Sequence, residues 1–189
     1  MSSEIVSKPP APSQVGQDLH HPNCFACGVE NPTTLHISSN FDEKSGEVKF
    51  IHVLDENQEG APGHSHGGVL ATLLDEAQGV LCHHLGHFVM TDNFYLKYHK
   101  ATPLNTPLKV RAWLTSVRRR RLYTRGTIHL ESGELLVEAK IRWYMIPDKI
   151  LIRKFDVKSK TDNLPRMAQV LELNRNRNRE LRHSLRKKK

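Results

Sequence analysis

His66-Gly67-Gly68-Val69-Leu70-Ala71-Thr72-Leu73-Leu74-Asp75-Glu76 is the stretch whose reading decides the fold. Val69, Leu70, Leu73 and Leu74, continued by Ala77, Val80 and Leu81, recur at helical spacing, so a helix is predicted from Gly67 to about Leu85. Its other side is small and polar: Gly68, Ala71, Thr72, Asp75, Gln78, Gly79 and Cys82. Such a helix buries one face and presents the other to a closely approaching partner or ligand.

Outward from this helix the period changes. After Gly86, alternation at a spacing of two predicts strands at His87–Tyr98, Leu108–Val117, Leu122–Leu130 and Glu134–Met145. Before it, Thr34 to Leu54 reads as two strands around the turn residues Asp42 to Gly46. Asp55 to Ser65 is a loop marked by Glu59-Gly60 and Pro62-Gly63. Strands, one long helix, then four more strands make an α+β pattern. It predicts an antiparallel sheet of five or six strands wrapped around one central helix. Residues 1–18 are expected to form a mobile arm, 19–147 the folded domain, and 148–189 an extension ending in a basic tail.

Composition agrees with one ordinary domain. Of 189 residues, 38% are hydrophobic and 25% charged, a balance that excludes a collagen-like fibre. No apolar run approaches the roughly 18 residues that a spanning helix needs. Met1 to Gln17 lacks the apolar core of a secretory signal and the arginines of a transit peptide, so a cytoplasmic location is expected, with a mitochondrial one left open. Three cysteines suit a reducing compartment rather than a disulfide framework. The net charge of +8 is concentrated at one end. Pro165 to Lys189 holds nine bases and two acids, whereas the preceding residues hold 19 bases and 18 acids. A nucleic-acid partner would therefore have to be met by the tail. That tail shows little apolar periodicity, reads at most as a surface helix, and is expected to be dispensable for the pocket.

The chemistry concentrates where the helix begins. First-turn N–H groups have no intrahelical acceptor, glycines let a ligand approach the main chain, and the helix N-terminus favours an oxyanion. Eight residues after Gly67, Asp75 offers a carboxylate able to act as nucleophile or general base on an acyl group. For the bare residues alone, a tightened loop and a solvated acid are the simpler account; the wider context is what displaces it.

The wider context resembles a family. His-Gly-Gly, six further residues and Asp is similar to the motif of hotdog-fold acyl-CoA thioesterases, closest to the phenylacetate-degradation type within the 4-hydroxybenzoyl-CoA thioesterase superfamily. The likeness spans about Asn23 to Tyr144. It includes Cys24-Phe25-Ala26-Cys27-Gly28-Val29-Glu30-Asn31-Pro32 and Thr91-Asp92-Asn93-Phe94-Tyr95-Leu96-Lys97-Tyr98-His99-Lys100-Ala101-Thr102-Pro103-Leu104. The resemblance implies a Gly67 N–H that polarises the thioester carbonyl and an Asp75 that attacks it or activates water. It further implies a His66 that orients the loop and a Thr91 that positions the water or the carboxylate. It implies no metal and no redox cofactor. Two positions depart from the pattern. Gly60, with Gln58 nearby, stands where some relatives carry Asn or Gln, and Gly79 replaces a hydroxyl residue of another branch.

Helix geometry adds an inference of its own. Gly67 and Asp75 are about 12 Å apart along an axis rising about 1.5 Å per residue. One acyl carbon cannot reach both on a single chain, so a homodimer or dimer of dimers is expected, with Asp75 supplied by the neighbour. Further substrate contacts are expected from Gly68 and His64. The base run Arg118, Arg119, Arg120 and Arg121, with Lys97 or Lys100, suits coenzyme A phosphates or a solvated turn. Cys24 and Cys27 have zinc-like spacing but no second cysteine pair, so a plain turn is the expected reading and no metal site is assigned. His83, His84 and His87 suit a helix C-terminus better than a metal. A hotdog protein that binds acyl-CoA without turnover, and an RNA- or ribosome-associated protein using the tail, are the alternatives.

Overall fold

Residues 122 to 128 show how the sheet is organised: Leu122, Thr124, Gly126 and Ile128 are buried, while Tyr123, Arg125 and Thr127 between them are only partly covered. That alternation marks a strand with one face on a core. A computed structural model of the protein describes residues 21–147, 149, 150, 153 and 164–186. The predicted arm, most of the segment following 147, and the terminal lysines lie outside the described residues. Contacts divide the chain into two units, one ending at Ser38 and one beginning at Ser39.

In the first unit the Cys24–Gly28 segment is a tight turn. Gly28 N–H donates to Cys24 O at 2.9 Å, and Glu30 N–H to Pro22 O at 2.9 Å. A Cβ on Gly28 would stand 2.3 Å from Cys24 N, so the turn closes only around glycine. The Cys24 and Cys27 sulfurs lie within 4.8 Å of each other. Leu35 and Ile37 are buried, as their alternation suggested, yet their N–H groups donate to Phe25 O and Ala26 O of this turn. The strand expected from Thr34 is therefore confined to Asn40–Asp42.

The second unit contains β1 (Asn40–Asp42), β2 (Glu47–His52), β3 (Glu59–Ala61), β4 (His64–Ser65) and α1 (Gly67–His84). It continues with β5 (Val89–Tyr98), β6 (Leu108–Arg118), β7 (Arg121–Leu130), β8 (Leu135–Met145), α2 (Leu164–Leu173) and α3 (Arg175–Arg186). Six strands form one antiparallel sheet in the order β1-β2-β6-β7-β8-β5, and β3 and β4 form a small separate ribbon. α1 packs on one face of the large sheet, against β2, β5, β6, β7 and β8. The α+β architecture read from the sequence is the one observed. No helix among the described residues is long and apolar enough to cross a membrane.

Leu70, Leu73, Leu74, Ala77 and Leu81 of α1 are buried, with Val48, Ala112, Leu114, Ile128 and Ala139 in the sheet. Each such leucine contributes about 1.5–3 kcal/mol by leaving water. Two residues of the small, polar face, Gln78 and Cys82, are fully buried rather than presented outward. Gln78 is accommodated because its hydrogen bonds are met inside. Its Nε2 donates to Leu74 O at 3.0 Å, and its Oε1 accepts the Thr124 hydroxyl at 2.6 Å. The Thr124 oxygen in turn accepts Trp143 Nε1–H at 2.7 Å. Gly126 makes room beneath: a Cβ there would meet Gln78 Nε2 and Leu74 Cδ2 at 2.9 Å.

The C-terminal region corrects the reading of a surface helix. Two helices form, and Met167, Val170, Asn174 and Asn178 are buried. Docking is largely polar. β2 pairs with β6 only as far as Glu47 opposite Trp113, so the next residue of β6, Leu114, has no β2 partner. Asn174 Oδ1 accepts Leu114 N–H at 2.9 Å, and Asn178 Nδ2 donates to Leu114 O at 3.1 Å. Asn174 Nδ2 also donates to Ser45 O at 2.8 Å. Arg177 lies 2.6 Å from the buried Glu47 carboxylate, which Arg111 also reaches at 2.6 Å, and its guanidinium covers the Trp113 ring at 4.8 Å. Asn174→Ala is expected to strand the Leu114 N–H and cost about 1–3 kcal/mol. Urea unfolding measures this, and an unchanged midpoint would show that the asparagine bridge contributes nothing.

Candidate active site

The residues before α1 are held by backbone contacts that admit little variation. Glu59 pairs with Ser65, and Ala61 with His64, which presses Gly60 against His66. A Cβ on Gly60 would stand 2.6 Å from His66 Cα, so this backbone admits no side chain at the position where some relatives carry Asn or Gln. Gln58 does not replace that amide. Its side chain accepts Asp55 N–H at 2.9 Å, closing a capping box, and its carbonyl accepts His66 N–H at 2.8 Å. His64 is exposed, with Nδ1 2.9 Å from Pro62 O.

His66 caps α1. Its backbone is extended, and its Nδ1 accepts Gly68 N–H at 3.0 Å, which requires an unprotonated Nδ1. Val69 N–H donates to His66 O at 3.0 Å. Among the described residues this leaves the Gly67 N–H as the one first-turn amide of these three without a partner. Gly68, expected to contact substrate, therefore has its N–H already engaged. The Gly67 carbonyl is fixed from another direction: Tyr98 Oη–H donates to it at 2.8 Å. The same ring lines Gly67, where a Cβ would meet the hydroxyl oxygen at 3.3 Å and Cζ at 3.4 Å. Sequence reasoning did not single out Tyr98. Its only signal is that it shares the inward parity of Phe94 and Leu96.

Two turns along α1, Thr91 Oγ1–H donates to Asp75 Oδ1 at 3.1 Å. Burial pushes the Asp75 carboxyl above the usual aspartate range; the Thr91 hydrogen bond opposes this, and the neighbouring Glu76 charge adds to it. Burial also raises the Cys82 thiol well above its ordinary range, which keeps it protonated and inert.

The structure thus gathers His64, His66, Gly67 and Gly68 at the helix start, and Asp75 with Thr91 further along. The basic candidates lie elsewhere. Lys97 is opposite Glu138 on the sheet face turned from α1. Arg118 and Arg121 face each other across the β6–β7 turn, with Arg119 at φ +51°. Arg121 Nε lies 3.4 Å from Asp92. Near the end of α1, His84 stacks on Phe41 with ring centroids 4.9 Å apart, and His83 meets Phe88 edge-on at 5.1 Å.

Comparison with known proteins finds likenesses over the part of the chain that builds this geometry. The family model of the thioesterase superfamily matches residues 62–137, from the turn before β4 into β8. Over 70 residues the chain is 36% identical to the acyl-coenzyme A thioesterase THEM4 of Rattus norvegicus, covering 37% of this chain and 30% of that protein. A solved thioesterase superfamily protein is 31% identical, with a TM-score of 0.62 over 66% of this chain and 61% of its own. A Streptococcus pneumoniae hypothetical thioesterase, solved with coenzyme A, is 22% identical and shares the fold with a TM-score of 0.52, covering 55% of this chain and 84% of that one. The chain spans under a third of the rat protein and about three fifths of the first solved chain. The matched segment carries both the helix start and Asp75, on an antiparallel sheet packed against one long helix, and over that segment the chain is similar to the thioesterase superfamily.

Proposed function

We propose that this protein hydrolyses the thioester of a fatty or aromatic acyl-coenzyme A. The observation that carries the reading is the Gly67 amide, left open at the start of α1 while its neighbours are satisfied by His66. The thioester carbonyl oxygen accepts that N–H, and the helix N-terminus stabilises the charge that develops on the oxygen. Tyr98 holds the Gly67 carbonyl and limits its freedom.

Asp75 of the neighbouring subunit completes the site. Its carboxylate either removes a proton from water as the water attacks, or attacks the carbonyl carbon itself. In the second course a mixed anhydride forms, coenzyme A leaves as the thiolate, and water then cleaves the anhydride to release the acid and restore Asp75. Partial burial raises the carboxylate's basicity, which suits either role. Arg118, Arg119 and Arg120, at the β6–β7 turn and apart from the helix start, are the proposed source of guanidinium groups for coenzyme A phosphates, whereas Arg121 is engaged by Asp92. The reading is supported by the name of the rat relative and by the coenzyme A held by the Streptococcus pneumoniae protein.

The test is release of free thiol from short, medium, long and aromatic acyl-CoAs. At least one class is expected to be turned over well above the spontaneous rate. A folded protein that hydrolyses none of them, yet binds them, would replace this reading with that of a non-catalytic acyl-CoA-binding protein.

A further inference from the structure

Along β5, Phe94, Leu96 and Tyr98 lie opposite Ile141, Ala139 and Val137, the residues of β8 on the α1 face. Counting back by twos, Asp92 would join them and Thr91 would point away. The observed register differs: Thr91 is opposite Trp143, Asn93 is opposite Arg142, and Asp92 is surplus. A bulge of one residue reverses the facing of everything before it. Thr91 consequently shares a face with the buried Trp143 and reaches Asp75.

Something must keep the surplus residue out. Asp92 Oδ2 lies 2.6 Å from Arg142 Nε and 3.4 Å from Arg121 Nε. Arg142 is opposite Tyr123, and Arg121 precedes the buried Leu122, so both arginines stand on the face away from α1. We propose that Asp92 is a positioning residue: its clasp with Arg142 and Arg121 holds the bulge outward and thereby seats Thr91 on Asp75. The catalytic consequence rests on the function proposed above; the seating itself does not.

The experiment follows the Asp75 carboxyl by carbon-13 NMR titration in the full-length protein, with Asp75→Asn identifying its signal. Among the described residues, the groups bearing on Asp75 are the titratable Glu76 and Cys82 of its own helix and, from β5, the neutral Thr91 hydroxyl. Thr91→Val removes a donor to the charged form, so the titration should move to higher pH. Asp92→Ala should move it the same way and by a similar amount, and the double variant should move no further than Thr91→Val alone. Arg142→Gln, which opens the clasp from its other side, should repeat the shift should Asp92→Ala not fold. Deleting Asp92 should restore the wild-type titration, because strict alternation then places Thr91 inward unaided.

The acid limb of kcat should follow the same shifts with little change in KM. A wild-type titration in Asp92→Ala or Arg142→Gln, or additive shifts in the double variant, would overturn the proposal. Full activity in Asp75→Asn would overturn the functional reading alone, since the titrations judge the clasp independently.

Discussion

Asp75→Asn is expected to fold and assemble as the wild type does, yet to lose acyl-CoA hydrolysis by about a thousandfold or more, because the amide can neither attack nor accept a proton. The amide preserves volume and can still accept the Thr91 hydroxyl. The wild-type pH profile carries a matching signature. Since burial raises the Asp75 carboxyl, activity should climb through an acid limb lying above the ordinary aspartate range, and the Asn variant should lack that limb. Stability should run the other way. A carboxyl whose folded pKa is raised contributes its favourable term when protonated, and that term is lost as pH rises through the folded pKa. At neutral pH the Asn variant should therefore unfold no earlier than wild type. Full activity in the variant would remove Asp75 from the mechanism.

The second large effect is a recovery. Gly67→Val blocks the open amide, since even a Cβ there meets the Tyr98 hydroxyl oxygen at 3.3 Å. Alone, Gly67→Val and Asp75→Asn should each be nearly inactive. Mixed in equal amounts and allowed to exchange, they should regain roughly a quarter of wild-type activity. Each complete site takes Gly67 from one chain and Asp75 from the other, as the separation of about 12 Å along α1 requires. A heterodimer then holds one intact site and one doubly defective site. About half of randomly paired dimers are heterodimers, which gives the quarter. Mass measurement verifies the exchange. An inactive, verified heterodimer would show that one chain supplies both residues.

The architecture was legible because α1 and the four strands after it are long and mostly periodic, so that local slips do not hide their extent; the observed bounds lie within two residues of those predicted. What was not legible has physical causes. Gln78 falls on the small, polar face of α1, and hydropathy does not register that Thr124 meets its amide inside the core. The same blindness hid the docking of the C-terminal helices, where buried Met167 and Val170 are joined by polar ties from Asn174, Asn178 and Arg177. Within β5 the alternation was read as continuous, but it slips phase at Asp92; a single period spanning the slip conceals which face Thr91 takes. The motif residues were legible one by one. The engagement of Gly68 by His66 depends on backbone direction, which spacing does not reveal.

The fastening of α3 gives the protein two levels of cohesion. The sheet and α1 are bound by buried hydrocarbon, whereas the beginning of α3 is tied down by amide and guanidinium contacts at its inner surface. Ion-pair ties of that kind weaken with ionic strength, and a segment held by few apolar contacts opens at a lower free energy than the whole. The helix is thus a fold within the fold, expected to lift from β6 in salt before the sheet opens. Its lifting would uncover Trp113 and Glu47, turning the interior of the resting protein into a temporary surface.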